Sequence, residues 1–225
     1  MELSMKILAL IPAYNESKHI AKVISQAAAL LPVLVVDDGS SDGTADIVKQ
    51  TGAILIEVKP NQGKGNALKT GFSWAVEKGY DGVITLDADG QHDPLEIPTF
   101  LQEIEDTHPD LVIGYRDFSR MPLSRKIANT TGRVLFGWAM RQPIRDNQSG
   151  YRYVSARLMQ ASMVSQLSSF EFEVENILTC LQNGMILSWV PIKTIYANEK
   201  SHIQPIKHVI NFFALINRVR RATSR

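Results

Sequence analysis

Five short apolar runs punctuate the first half of the chain: "MKILALI" (5–11), "PVLVVD" (32–37), "AILIEV" (53–58), "GVITLD" (82–87) and "DLVIG" (110–114). Each is nearly continuous in apolar residues rather than alternating with polar ones, which is the pattern of strands covered on both faces. Between them, residues 16–31, 42–50, 66–78 and 94–106 read as helices. Pro94 stands at a first helical position, and Gly52 and Gly79 follow helix ends, where a left-handed residue commonly stops the helix. Strand and helix thus alternate as βαβαβ. That order builds an α/β domain with a mostly parallel sheet flanked by helices, whose ligands bind beyond the carboxyl ends of the strands.

After Gly114 the rhythm changes. A helix is predicted over 124–140, a short strand "YRYVS" after the loop "RDNQSG", a helix over 170–183 and a strand over 186–195. The last segment, "VINFFALINRV", sets Val209, Phe212, Phe213, Ile216 and Val219 at helical spacing. No repeat, low-complexity tract or linker divides the chain, so the reading is one domain over 1–200 followed by an amphipathic segment over 201–225.

Composition and charge sharpen this picture. With 225 residues, 44% hydrophobic and 21% charged, the chain has the make-up of one globular domain. Cys180 is the sole cysteine, which excludes a disulfide framework and a cysteine zinc cluster and suits a reducing, cytosolic setting. The N-terminal apolar run is short and lacks a cleavage pattern, so it reads as a strand and not a signal peptide. No apolar run approaches the roughly 20 residues of a membrane-spanning helix. The net charge of +1 hides an asymmetry: from Lys200 onward there are six basic residues and no acidic ones, leaving 18 Lys plus Arg against 23 Asp plus Glu elsewhere. A second basic cluster, Arg116, Arg120, Arg125, Lys126, Arg133, Arg141 and Arg145, is offset only by Asp117. Such clusters are most often solvated faces and otherwise bind phosphate, nucleic acid or anionic lipid, so neither decides the function alone.

The candidate chemistry falls at the predicted strand ends. "IPAYNE" closes the first strand, and "VVDDGSSDGT" closes the second with two carboxylates, a turn glycine and a helix cap. "NQGKGNALKTG" places Lys64 between Gly63 and Gly65, which suits the approach of backbone and a cation to a phosphate. Each of these loops alone is also what ordinary turn chemistry produces. "LDADGQHDP" adds Asp87 and Asp89, two apart at a strand end; extended, both side chains point one way and can share a hard cation. Magnesium or manganese held by one or two carboxylates fills its other positions with water and substrate phosphate, which points to a diphosphate ligand. His92 reads as a hydrogen-bonding loop residue and Asp93 as a helix cap, neither as a ligand.

Taken in order, "IPAYNE", "VVDDGSSDGT", "NQGKGNALKTG", "DADGQHDP", "GYR" and "DNQSGYR" resemble the GT-A glycosyltransferases of family 2. Within them the set is most similar to the dolichol- or polyprenyl-phosphate mannosyl- and glucosyltransferases. The resemblance implies a GT-A (Rossmann-like) catalytic domain over 1–200, with a nucleotide-sugar half over 1–115 and an acceptor half over 116–200. It implies an inverting hexosyl transfer from a UDP- or GDP-linked sugar to a polyprenyl or dolichyl phosphate, with Mg2+ or Mn2+ as cofactor. Pro12, Tyr14, Glu16, Asp38, Lys64 and Asp87 would bind the nucleotide, and Asp87, Asp89 and Gln91 the metal. Arg116 and Arg125, with Asn129 where many relatives have serine, would hold the acceptor phosphate; Asp89, Arg116 and Arg125 are the expected catalytic residues. Gly90, Asp93 and Tyr151 depart from the commoner pattern. The expected setting is cytoplasmic, peripheral at the membrane face, with the basic tail at an anionic lipid surface or packed as a helix on the protein. Nucleic acid is not among the expected partners.

Three alternatives stay open. Relatives that glycosylate hydroxyl groups carry an acidic base near "FEFEVE", making Glu171, Glu173 and Glu175 candidates, although acidic residues in a first helical turn are also favoured by the helix dipole. A metal-dependent phosphohydrolase would want a nucleophilic Asp where this chain has "IPAYNE". A nucleotide-sugar-binding protein without turnover would have no need of Asp87 and Asp89 together with Arg116 and Arg125.

Overall fold

The computed structural model describes residues 5–116, 137–138, 143–165, 167 and 171–193. Seven strands, β1 (Ile7–Ala13), β2 (Val33–Asp37), β3 (Ile54–Glu57), β4 (Gly82–Thr85), β5 (Leu111–Arg116), β6 (Arg152–Ser155) and β7 (Leu187–Ile192), form one sheet in the order β3-β2-β1-β4-β6-β5-β7. Among the described residues it is flanked by α1 (Ile20–Ala28), α2 (Thr44–Lys49), α3 (Lys64–Glu77), α4 (Ile97–Thr107), α5 (Ala156–Ser162) and α6 (Glu171–Gln182). A 3-10 turn, Pro94–Glu96, leads into α4. Its cap is Asp93, whose Oδ1 accepts the Leu95 N–H at 3.0 Å, as the sequence suggested.

Alternation along the strands divides the core in two. Leu8 and Leu10 of β1 face α3 with Leu68 and Phe72, while Ile7, Ala9 and Ile11 face the layer of Ile20, Ile24 and Phe100. Burying each large apolar side chain of this kind contributes about 1.5–3 kcal/mol, so both faces of the central strands stabilise the sheet. Phe72 of α3 and Phe172 of α6 meet with ring centroids 5.9 Å apart, which brings the first turn of α6 to the side of α3. That contact carries Glu173 towards the functional end of the sheet.

Two features differ from the sequence expectation, and the seat of one strand within the mostly parallel sheet was not part of it. β3 was expected to be covered on both faces, yet it is an edge strand whose residues are half-buried or exposed. An apolar run does not report its place in the strand order. The sheet is parallel through β3-β2-β1-β4 and β5-β7, but β6 inserts antiparallel between β4 and β5. Finally, β4 ends at Thr85, so Asp87 and Asp89 lie in a turn beyond it rather than on extended strand. The predicted helix over 124–140 and the segment 201–225 fall mostly or wholly outside the described residues.

Candidate active site

The strand ends gather two polar corners. At the first, Asp38 leaves β2 with its N–H on the Ala13 carbonyl (2.8 Å) and its carboxylate accepting the Gln62 and Gly63 amides at 2.9 and 2.7 Å. It thereby fixes the glycine-rich loop ahead of α3. Gly39 has φ of 77°, and a Cβ there would meet the Asn61 N at 3.0 Å, so this turn requires glycine twice over. Asp37 accepts from the Ser40 N–H and hydroxyl. Asn15, itself left-handed at φ 56°, bonds Ser40 and Ser41, and the Glu16 N–H donates to Thr44 Oγ1 at 2.9 Å. Pro12 is buried in β1, and Tyr14 beside it is half exposed.

The second corner is built from charge. Lys64, the first residue of α3, sets its Nζ 2.5 Å from Asp87 Oδ1 and 3.2 Å from Glu173 Oε1. Burial pulls the lysine pKa down, but these two carboxylates outweigh it and hold the group above its ordinary value. Burial pushes the Asp87 carboxyl up, and the charges of Lys64 and Arg116 reverse this and lower it to about 2. Asp89 goes the other way: burial and then the nearby Asp87 charge raise it, while its Oδ1 accepts the Gln91 N–H at 2.9 Å. Gly150 packs on this pair so closely that a Cβ would lie 2.9 Å from both Asp87 Oδ2 and Lys64 Nζ. Thr85 Oγ1 donates to the Gly150 carbonyl at 2.7 Å, tying β4 to the loop before β6.

Arg116, at the end of β5, is clamped by Asp146, Nε to Oδ2 at 2.8 Å and Nη2 to Oδ1 at 3.2 Å. Arg152 of β6 is 1% exposed and donates to the carbonyls of Ser149, Asn147 and Glu173. Burial lowers its pKa, opposed by Glu173, Asp146 and Asp87, and it braces the loop before β6 against the first turn of α6. Among these residues four carboxylates, Asp87, Asp89, Asp146 and Glu173, face three cations, Lys64, Arg116 and Arg152.

The structure therefore brings Lys64, Asp87, Asp89 and Arg116 to one corner, and sets Pro12, Tyr14, Glu16 and Asp38 along the adjoining strand ends. Arg125 and Asn129 lie outside the described residues. No cluster of three His, Cys, Asp or Glu side chains arranged for a metal occurs among the described residues. Two neighbouring carboxylates, Asp87 paired with Lys64 and Asp89 raised by burial and by the Asp87 charge, nonetheless fit a hard cation that takes water and phosphate for its other positions, and Asp89 is the side chain such a cation would relieve. Sequence reasoning missed Asp146 and Arg152, both within the quoted "DNQSGYR", and left Glu173 undecided. Glu173 is buried and paired with Lys64, so it does more than favour a helix end; Glu175 instead accepts from the Ser165 hydroxyl. His92 is buried too, its Nδ1 accepting the Asp87 N–H at 3.1 Å.

Polar loops gathered beyond the carboxyl ends of a mostly parallel sheet mark the ligand site of an α/β enzyme fold, and comparison with known proteins gives the class. The family model described as Glycosyl transferase family 2 matches residues 9–167, and the chain belongs to that family: it is a glycosyltransferase with the GT-A fold. The UDP-N-acetylglucosamine–dolichyl-phosphate N-acetylglucosaminyltransferase of Methanococcus voltae is 32% identical, the match covering 84% of this chain and 86% of that protein. The undecaprenyl-phosphate mannosyltransferase of Micrococcus luteus is 30% identical over 84% of this chain and 83% of its own. Among solved structures, the glucosyl-3-phosphoglycerate synthase of Mycobacterium tuberculosis, in complex with Mn2+ and UDP-glucose, superimposes with a TM-score of 0.73 at 20% identity, covering 95% of this chain and 79% of that one. That likeness is one of fold. No helix among the described residues is long and apolar enough to cross a membrane.

Proposed function

We propose that the chain transfers a hexosyl group, with inversion, from a UDP- or GDP-linked sugar to a polyprenyl or dolichyl phosphate. The observation that carries this is the juxtaposition of Asp87 and Asp89 with Lys64 and the clamped Arg116 beyond β4 and β5. The names of the relatives at 30–32% identity point the same way.

Asp87, Asp89 and Gln91 would hold Mg2+ or Mn2+, which supplies positive charge against the departing nucleoside diphosphate. Pro12, Tyr14, Glu16 and Asp38 would line the nucleoside side, with Lys64 turning from the carboxylates to the diphosphate. Arg116, Arg125 and Asn129 would take the acceptor phosphate. Asp146 keeps the Arg116 fork rigid, so its donors are aimed before the acceptor arrives. A monoalkyl phosphate has its second pKa near about 6 and is largely ionised at neutral pH, so the attacking oxygen needs no strong base. The protein would work at the cytoplasmic face of a membrane, with the acid-free segment 201–225 at the lipid surface.

A second reading, transfer to a hydroxyl with Glu173 as base, draws on the burial of that carboxylate within the site. Its engagement by Lys64 argues against it. The test is release of nucleoside diphosphate from UDP-glucose, UDP-N-acetylglucosamine and GDP-mannose with Mn2+, with and without a short polyprenyl phosphate. Release that requires the lipid phosphate supports the proposal. Release that ignores the lipid indicates hydrolysis, and product on a sugar hydroxyl that vanishes in Glu173→Gln indicates the second reading.

A further inference from the structure

The ladder between β1 and β4 ends where the Leu86 N–H donates to the Leu10 carbonyl at 3.0 Å. The next amide, that of Asp87, has left the sheet, and a buried N–H without a partner is costly. His92 supplies that partner: its Nδ1 accepts the Asp87 N–H at 3.1 Å and lies 3.8 Å from Asp87 Oδ2. A ring nitrogen that accepts carries a lone pair, so the imidazole proton sits on Nε2. The ring is held from the other side as well. It packs against Tyr151 at 5.1 Å between centroids, and Tyr151 stacks on Phe100 of α4 at 4.5 Å and donates its hydroxyl to the Asp93 carbonyl at 3.1 Å.

These contacts make one closed loop of residues 87–92. Its two ends are joined by the bond from Asp87 to His92, and its tip turns through Gly90 at φ 75° with Asp89 Oδ1 on the Gln91 amide. We infer that His92 is a positioning residue, a clasp that sets the loop carrying Asp87 and Asp89 in the arrangement that takes up a divalent cation, without being a ligand itself. The inference rests on the reading of Asp87 and Asp89 as metal residues. It also explains the departure at position 151: tyrosine there adds a hydroxyl that holds the chain just after His92.

Two variants separate the hydrogen bond from the packing. His92→Phe keeps a ring against Tyr151 but has no acceptor, and His92→Asn keeps an acceptor, Oδ1, near the place of Nδ1. Mn2+ uptake is followed by electron paramagnetic resonance with saturating UDP or GDP, beside thermal unfolding of each protein. Partners that orient a metal's ligands typically govern affinity by about 10- to 100-fold, so His92→Phe should weaken Mn2+ binding by at least about tenfold, with His92→Asn within about threefold of wild type. In turnover the loss should appear as a raised Mn2+ activation constant, with kcat recovered at saturating Mn2+. If His92→Phe does not fold, His92→Ala measured below its own unfolding temperature carries the same expectation. Wild-type affinity in His92→Phe, or equal losses in both variants, overturns the clasp while leaving the metal reading intact. A wild-type protein that takes up no Mn2+ overturns the metal reading and the clasp with it.

Discussion

The two polar corners at the carboxyl end of the sheet are held by different forces. Around β1 and β2, Asp37, Asp38, Asn15 and Thr44 bond to backbone amides and hydroxyls of the segments after β1 and β2 and of the loop before α3. Around β4 and β6, Asp87, Glu173 and Asp146 bond to Lys64 and Arg116 from distant parts of the chain, and Arg152 is sunk among carbonyls. Bonds of the first kind to the Asp37 and Asp38 carboxylates each contribute about 1.5–3 kcal/mol, and the neutral ones made by Asn15 and Thr44 about 0.5–1.5 kcal/mol. Buried charges of the second kind are balanced as a set, and removing one partner leaves another uncompensated, at about 3–5 kcal/mol. The first corner is a scaffold. The second is where a charged substrate or cation can change the balance, which is what the proposed transfer to a lipid phosphate needs.

Substitutions should divide along the same line. The largest effect belongs to Asp89→Asn, for which transfer measured as kcat/KM should fall at least about a hundredfold, the scale of losing one preorganised electrostatic contact. The same variant should unfold at a higher temperature than wild type when metal and nucleotide are absent. Its carboxyl is raised by burial and by Asp87, so the ionised form above that pKa weakens the fold, and the penalty disappears as pH falls through it. A lower unfolding temperature would show that Asp89 is not strained.

Next comes Lys64→Met, which leaves Asp87 and Glu173 facing each other without their shared cation. Stability should drop by about 3 kcal/mol in denaturant titration, and Mn2+ should raise the unfolding temperature more than in wild type. Asp87 is the pH-sensitive member of that cluster. Its folded pKa is lowered to about 2 against an ordinary value near about 3.9, so its contribution is present above about pH 4 and is lost as pH falls toward 2. Asp87→Asn should flatten acid unfolding over that window, as read by circular dichroism.

Smaller still is Asp146→Asn, which weakens the grip on Arg116. Hydrogen bonds to charged groups contribute about 1.5–3 kcal/mol, so the KM for lipid phosphate should rise roughly tenfold while that for the nucleotide-sugar stays put. The smallest effect on turnover should come from the other corner: Ser40→Ala, removing one hydroxyl from the Asp37 carboxylate, should cost about 1.5 kcal/mol of stability and leave kcat within about twofold. A large loss of kcat there would erase the distinction between scaffold and charge cluster.

How far each corner was legible in the sequence follows from the same contrast. Turn chemistry is local, so the Asp37–Ser40 turn, Gly39 and the cap at Asp93 could be read from a few neighbouring letters, whereas the Asp38 bonds to Gln62 and Gly63 could not; the continuous apolar runs of β1, β2 and β4 announced a parallel sheet. The partners in the charge cluster, like those of Asp38, are not neighbours in sequence. Nothing near Lys64 in sequence points to Glu173, and nothing near Arg116 points to Asp146. "RYVS" read as a strand, but its antiparallel seat between β4 and β5 depends on pairing that four residues do not encode. For β3 the apolar composition matched that of the central strands, while its edge position left it half covered. His92 was read correctly as a hydrogen-bonding loop residue; that its partner is the Asp87 amide became visible only with β4 ending at Thr85.

The account turns on Asp87 and Asp89 serving a metal-assisted sugar transfer to a lipid phosphate. The direct measurement is transfer of radiolabelled sugar into the organic phase from the nucleotide-sugar that the protein accepts, with polyprenyl phosphate and Mn2+, for wild type and Asp89→Asn. Labelled lipid formed one-for-one with released nucleoside diphosphate, abolished by chelator and by Asp89→Asn, is the predicted result. Undiminished transfer in the variant or in the presence of chelator would contradict it.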